Sequence, residues 1–510
     1  MKNESRSLLK SGQLTLGEFA DPNPAALIES LRAFGYDLRT SIADLIDNSI
    51  SAGAENVWVD FFWNGELSTI SILDDGGGMS KEELINAMRP GSSSPLDVRN
   101  PDDLGRFGLG LKTASFSQCR TLIVASKCQN EPVEARCWDL DHVVLENKWQ
   151  LLIPENFGLS EECTGLKKLD SGTLVIWKNM DRITGGMKTD SKRDMKAFHG
   201  MIDGVCEHLA MTFHRFMEGK NRFHIFVNNN EIEPWDPFLT KHSATQDITD
   251  ENWSVMEEIV RVDPFILPHH SRLTSDEHSK AAGPKGWNAQ QGFYIYRNKR
   301  LLVPGSWLNL GFKKEEHCKL GRILIDIPNT LDSEWQIDVK KAIARPPPAI
   351  KDELKRIATH TRSRASEIYR QRGKMVSRNF SPEYVLMWNQ VRKGGKVFYK
   401  INRDHPLVHK LTANNQSDSE EVKTLLRLIE ETVPVQLIAM ANSEKPDSVP
   451  PPFEGATSEE MEKHTRLMFE LMLNGGDSPE KAAEKIRIMD GFRERDELVE
   501  KILSELMSSN

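Results

Sequence analysis

The chain reads as an α/β protein, and three stretches carry that reading. The first is a strand-like run, Leu67 to Leu73, that ends on two acids and three glycines, Asp74-Asp75-Gly76-Gly77-Gly78, followed by Met79. The second lies upstream, where Leu38, Ile42, Leu45, Ile46 and Ile50 recur at helical spacing and form one apolar stripe. The third is a glycine-rich turn, Gly105-Arg106-Phe107-Gly108-Leu109-Gly110, that leads through Leu111, Lys112 and Thr113 into a helix expected to end at Cys119.

The remaining elements follow in order. Asn23-Pro24 opens a short helix through Leu31 and Arg32, and Gly35 separates it from the striped helix. Residues Asn56 to Trp63, Thr121 to Ser126, Val133 to Leu140 and Gly172 to Trp177 read as strands. A long helix is expected from Lys192 to Met217, and Phe223 to Val227 starts a new strand series. Thr240 to Asn252 reads as an acidic, polar loop, and Thr274 to Gln290, with Gly283-Pro284 inside it, as a flexible one. Phe293 to Val303 and Arg322 to Ile327 are strand material. Arg345-Pro346-Pro347-Pro348 stiffens the exit to a basic helical run, Ile350 to Arg378. Ser443 to Gly455 is proline-rich and reads as a linker between helices at Ser419 to Ala441 and Ser458 to Met507, a small bundle or partner-docking module.

The chemistry sits on the first three stretches. An acid at a strand end suits the amino group of adenine, because the carboxylate accepts that hydrogen bond and the glycines admit the flat base. On the striped helix, Asp44, Asp47, Asn48 and Ser51 share the opposite face. An Asn amide oxygen is a suitable neutral ligand for Mg2+, and a carboxylate one turn earlier is placed to deprotonate an attacking water. Plain solvation of that face is the alternative. Backbone amides at a glycine-rich helix start, with Lys112 nearby, form an anion site for a triphosphate. No G-x-x-x-x-G-K-[ST] loop occurs, so a P-loop fold is disfavoured. Gly172-Thr173 opens a strand whose threonine is placed to share the hydrogen bonds of Asp74.

On these residues the chain resembles the GHKL ATPases, the superfamily of DNA gyrase, the large heat-shock ATPase chaperones, histidine kinases and MutL. Asp44 to Asn48, followed by Ser51-Ala52-Gly53-Ala54, is similar to the N box of the MutL and MORC branch. Asp74 to Gly78 resembles the adenine-binding G1 box, Gly105 to Gly110 the G2 box and Gly172-Thr173 the last box; Gly91 to Asp103 is then the ATP lid. The resemblance implies a GHKL (Bergerat) α/β sandwich ATPase domain over 1–218 and an α/β transducer domain of ribosomal S5-like type over 219–350. A basic helical extension over 351–415 and a helical C-terminal module over 416–510 would follow. It implies roles as well: Asp44 as base, Asn48 on the metal, and Asp74 on adenine with Gly76, Gly78, Met79 and Thr173. Ser92 of the lid and the run Gly105, Arg106, Phe107, Gly108, Leu109, Gly110, Leu111, Lys112 and Thr113 would hold phosphates. Gln336 to Ala342 is similar to the transducer loop that sets a lysine on the γ-phosphate; Lys341 is preferred, with Lys340 the alternative. Arg297-Asn298 with Arg300 resembles a MORC pattern.

Two departures stand out. The family's base is usually Glu, and Asp44 is one methylene shorter, so its carboxylate sits roughly 1–1.5 Å further back, a misplacement worth on the order of a hundredfold in rate. Either the backbone compensates, or Asp47 contributes, or turnover is slow, as suits a switch better than a metabolic enzyme. Ser51 stands where the MutL pattern has Asp.

Composition bounds the rest. The chain has 510 residues, enough for two to four domains, and its net charge of −9 argues against a wholly basic nucleic-acid binder. Six scattered cysteines without a C-x-x-C pair point to reduced thiols in the cytoplasm. Met1 to Gly17 lacks a signal-peptide core, and no later run is long enough to span a bilayer. His269-His270 and His317-Cys318 lack the spacing and companions of a metal centre. The expectation is a Mg2+-dependent ATPase working as an ATP-gated homodimeric clamp on DNA. Resemblance to prokaryotic MORC-like proteins adds other proteins of a restriction or antiphage system as partners. A heat-shock-type chaperone, a histidine kinase and a nucleotide-binding scaffold with little turnover are the rivals.

Overall fold

The computed structural model describes residues 22–33, 35–91, 104, 110–220, 222–248, 250–338, 341, 344–375, 387–393, 396–412, 418–434, 453, 455–474, 476–488, 492 and 495–508. Two compact units emerge, one of Met1–Lys314 with Gly321–Thr361, the other of Glu315–Leu320 with Arg362–Asn510.

The first unit begins with α1 (Pro24–Arg32), whose N-cap Asn23 accepts from the Ala26 amide, and α2 (Leu38–Ser51), capped by Asp37 through Thr40. Strands β1 (Asn56–Phe62) and β2 (Thr69–Asp74) form an antiparallel pair, followed by α3 (Lys81–Met88), which starts on a Ser80/Glu83 capping box. Then come α4 (Gly110–Gln118), β3 (Thr121–Lys127), β4 (Glu134–Asp139), α5 (Leu140–Glu146), the short α6 (Thr164–Lys168), β5 (Gly172–Lys178), the short α7 (Asp181–Thr184) and α8 (Lys192–Thr212). Two further strands, β6 (His224–Val227) and β7 (Asn230–Glu231), complete a seven-stranded sheet of order β4-β3-β5-β2-β1-β6-β7, antiparallel except at β1–β6. The first sheet therefore continues to Glu231, past the domain boundary expected at 218.

Strand alternation builds this sheet's core. Val57, Val59, Ile70, Ile72, Leu122, Val124, Val175 and Trp177 project to one face and pack with Ile42, Leu45 and Ile46 of α2, Phe116 of α4 and Phe198, Val205 and Leu209 of α8. Each such side chain contributes roughly 1.5–3 kcal/mol on burial. The opposite face of β3 and β5 carries a smaller core of Ile123, Ala125, Leu174 and Ile176, closed by Phe157, Cys163 and Leu166.

The second sheet contains β8 (Gln246–Asp247), β9 (Glu251–Val255), β10 (Glu258–Ile266), β11 (Gly292–Arg297), β12 (Arg300–Ser306) and β13 (Gly321–Ile327), in the order β12-β11-β13-β10-β8 with β9 paired to β10. The stretch read as an acidic loop supplies β8 and the start of β9: pairing of Asp247 with Phe265 and of Glu251 with Val262 overrides its polarity. The other expected loop holds α9 (Ser275–Ala282), started by a Thr274/Glu277 capping box. Phe293, Ile295, Ile323 and Ile325 pack with Trp335 and with Leu354 and Ile357 of α10 (Lys351–Met375), while Tyr294, Tyr296 and Leu324 fill the reverse face with Phe238 and Phe265.

In the second unit a hairpin pairs Trp388–Lys393 with Lys396–Ile401, and Glu430 of the helix Asp418–Thr432 accepts from the Ile401 amide and from Arg403. The run from 458 onward is three helices, Ser458–Asn474, Pro479–Ile488 and Asp496–Ser508, around Met461, Phe469, Ile486, Val499 and Ile502. Gly476, at φ +94°, turns the chain after the first of them.

Candidate functional site

Sheet register lines up one end of the pocket. Asp74 lies opposite Thr173, and Thr173 opposite Ser126, so three neighbouring strands set these residues in a row. Asp74 is buried at the end of β2, where Oδ1 accepts from the backbone amides of Gly76 at 3.0 Å and Thr173 at 3.2 Å. Its Oδ2 accepts from Ser49 Oγ of α2 at 2.9 Å. An ionised carboxylate has about four acceptor positions, so the three protein donors leave room for another. Burial raises the Asp74 carboxyl above its ordinary range, opposed by the bonds from Ser49, Gly76 and Thr173. The threonine serves this acid through its amide; its hydroxyl instead meets Ser126 Oγ at 2.9 Å, which also accepts from the Met79 amide at 2.8 Å. Asp75 has a separate, structural task, accepting from the amides of Glu55 and Asn56 and fastening the end of β2 to the start of β1.

The glycines answer to the protein's own backbone. A Cβ on Gly78, at φ +71°, would lie 2.0 Å from the Lys127 carbonyl oxygen, and one on Gly172 2.2 Å from that of Asp74. A Cβ on Gly76 would meet that of Ala52 at 2.9 Å.

The other end of the site is α2. Asp44 and Asp47 are buried and Asn48 is exposed. The polar face of this helix is covered by the second sheet and the loop after it. Arg300 at the start of β12 donates through Nε to Asp47 Oδ1 at 2.8 Å, with Nη2 3.5 Å from Asp44 Oδ1. Lys341 Nζ lies 2.5 Å from Asp47 Oδ2 and 3.5 Å from Asp44 Oδ1. Tyr36 donates its hydroxyl to Asp44 Oδ2 at 2.9 Å and is itself positioned by Gln118, whose amide donates to the Tyr36 carbonyl. Burial drives the Asp44 carboxyl upward; Lys341 opposes this, Asp47 adds to it, and Arg300 and Tyr36 oppose it further. Burial likewise raises the Tyr36 phenol, with the Asp44 charge adding to it.

α4 begins beside these acids, since a Cβ built on Gly110 would sit 3.9 Å from Asp44 Oδ2. Leu111 packs against the main core and Thr113 is buried. Lys112, expected on the triphosphate, is placed elsewhere. Its ammonium is buried and donates to the Ala87 carbonyl at 2.8 Å, in the last turn of α3, where burial lowers its pKa to about 8. The run is helical from Gly110, which carries this side chain away from Asp44 and into the protein. Ser92, Gly105, Arg106, Phe107, Gly108, Leu109 and Lys340 lie outside the described residues.

Tyr36, Ser49, Ser126 and Arg300 complete the site without having been assigned to it from sequence. Arg300 had a signal: it and Arg297 flank a two-residue turn, and such a cross-strand pair shares one face. Several arginines of the basic extension pair with acidic residues. Arg356 is engaged with Glu251 and Glu353, Arg364 with Glu367, and Arg362 with Glu315. His317 and Cys318 gain Glu315 as a companion, with ligand atoms within 4.8 Å of one another, although Glu315 is already paired with Arg362. No helix among the described residues is long and apolar enough to cross a membrane.

Residues 36–173 match the family described as histidine kinase-, DNA gyrase B- and HSP90-like ATPase. The ATPase morc-1 of Caenorhabditis elegans is 33% identical over 88 residues, 17% of this chain and 10% of that protein. The DNA mismatch repair protein MutL of Dictyoglomus turgidum is 37% identical over 94 residues, 18% of this chain and 16% of that protein. MutL of Pelotomaculum thermopropionicum is 42% identical over 66 residues, 13% of this chain and 10% of that protein. The chain thus spans at most about a sixth of the length of these curated relatives. Residues 36–173 are a GHKL ATPase domain, and its relatives lie in the MORC and MutL branch of that superfamily.

Proposed function

We propose that the chain binds and slowly hydrolyses ATP with Mg2+, and that nucleotide drives two copies together as a clamp on DNA. The observation that carries this reading is Lys341: a lysine from beyond the second sheet meets the acids of α2, 3.5 Å from Asp44 and 2.5 Å from Asp47. Asp74, with its spare acceptor position, reads the adenine amino group. Asn48 fits Mg2+, being a neutral oxygen donor that is exposed beside buried carboxylates. The ion supplies charge neutralisation at the phosphates. Asp44 orients and deprotonates the attacking water. Lys341 leaves the two carboxylates for the γ-phosphate, so the terminal phosphate is sensed by a cation that otherwise stays on α2. The domain limits at 350 and 415, the S5-like nature of the second sheet, action in the cytoplasm and partners from a defence system belong to the same proposal by resemblance.

The names of the relatives support an ATPase that works on DNA. A scaffold with little turnover is the second reading, favoured by the engagement of Asp44 with Tyr36, Arg300 and Lys341 at once. Asp44→Ala decides between them. On the clamp reading this variant still binds ATP, loses hydrolysis and sediments as a persistent dimer, whereas the wild type dimerises only until ATP is consumed. Equal phosphate release by variant and wild type would contradict the role of Asp44. ATP-dependent, salt-sensitive retention on closed circular DNA separates the clamp from a chaperone, which would instead suppress aggregation of an unrelated protein.

A further inference from the structure

We infer that Arg300 is a positioning residue for the hydrolytic step, aimed by the tip of the β11–β12 hairpin; this rests on the ATPase reading above and deepens it. Asn298 and Lys299 form the two-residue turn, both at positive φ (+47° and +69°), and Arg297 lies directly across from Arg300. Both guanidinium groups are buried. Arg297 makes the anchor: Nε and Nη2 hold Asp332 at 2.7 and 2.9 Å, and Nη1 donates to the Leu104 carbonyl at 3.1 Å, just ahead of the glycine-rich run. Arg300 makes the working arm. Its Nε holds Asp47 Oδ1 at 2.8 Å, Nη2 approaches Asp44 Oδ1 at 3.5 Å, and Nη1 donates to the backbone carbonyl of Lys341 at 3.3 Å.

One rigid fork therefore grips the acids of the ATPase helix and the backbone of the lysine that faces them. A planar guanidinium has five donors in fixed directions, so it sets the spacing between its partners; an ammonium could satisfy Asp47 but not the Lys341 carbonyl as well. Lys341 itself stands in the left-handed region, at φ +50°, a conformation that needs an external hold. When the Lys341 ammonium is drawn off its carboxylates, Arg300 remains as the cation on Asp47 and keeps the lysine's backbone within reach of the pocket.

The test is a double-mutant cycle on the full chain, reading ATP affinity, ADP affinity and kcat separately. Arg300→Gln should leave ADP affinity within about twofold, weaken ATP about fivefold and lower kcat about tenfold, a pattern a merely structural loss would not give. Lys341→Gln should give the same pattern, and combining the two should add less than about twofold to either alone, because both break one device. Arg300→Lys should keep the fold and still lose kcat; it carries the comparison if the Gln variant does not fold. A kcat within about twofold of wild type for both Arg300 variants, parallel losses of ATP and ADP, or fully additive effects with Lys341→Gln would overturn the assignment. Failure of the wild-type chain to bind ADP or ATP would instead remove the ATPase reading itself.

Discussion

Asp44 and Asp74 are both buried carboxylates, and their surroundings differ. Three neutral donors hold Asp74 and leave it an acceptor, which suits recognition of an amino group. Asp44 shares its space with Asp47, two cations and a phenol, which suits a group whose charge must be managed during a reaction. Burial raises the Asp44 pKa above its ordinary 3.8, so the folded state binds its proton more tightly than the unfolded chain does. Stability tied to this group is thus complete below pH 3.8 and is lost as pH rises through the raised value. Asp44→Asn removes that loss. The variant should melt higher than wild type at pH 8, with the gain shrinking as pH falls toward 4; thermal unfolding at both pH values checks this, and a gain that grows on acidification contradicts it.

The strand ends and turns carry a second kind of constraint. Gly78 combines a left-handed φ with a Cβ position 2.0 Å from the Lys127 carbonyl, so Gly78→Ala should destabilise the chain by at least about 2 kcal/mol. Chemical denaturation measures it, and a change too small to resolve would contradict the close approach. Much of this architecture was legible in sequence: the stripe of Leu45 and Ile46 marked α2, and Asn23-Pro24 marked the start of α1. Acid, glycines and threonine were legible as one cluster, because strand register sets Asp74 against Thr173. Other features depend on partners distant in the chain. The acids of α2 were legible as one polar face, with plain solvation the alternative, but not the cations and the phenol that cover them: Arg300, Lys341 and Tyr36 come from elsewhere in the chain. Lys112 looked like a phosphate ligand by proximity to glycines, whereas the start of α4 turns it onto Ala87. The acidic run before Glu251 became strand because β10 offered it an edge.

For the whole chain, the proposed function implies that the γ-phosphate and the acids of α2 compete for one cation, Lys341. On that proposal the first sheet reads the base, α2 holds the reacting end, and Lys341 reports whether a terminal phosphate is present. Arg356, Arg362 and Arg364 of the basic extension are already paired with Glu251, Glu315, Glu353 and Glu367, so any contact with DNA through them has to displace a carboxylate and should weaken steeply with salt. All of this depends on adenine being read at the end of β2. Calorimetric titration of the wild type and of Asp74→Asn with ATP in Mg2+ buffer tests that directly. Saturable, single-site binding by the wild type and none by the variant is the predicted result; equal affinity in the two proteins would contradict it.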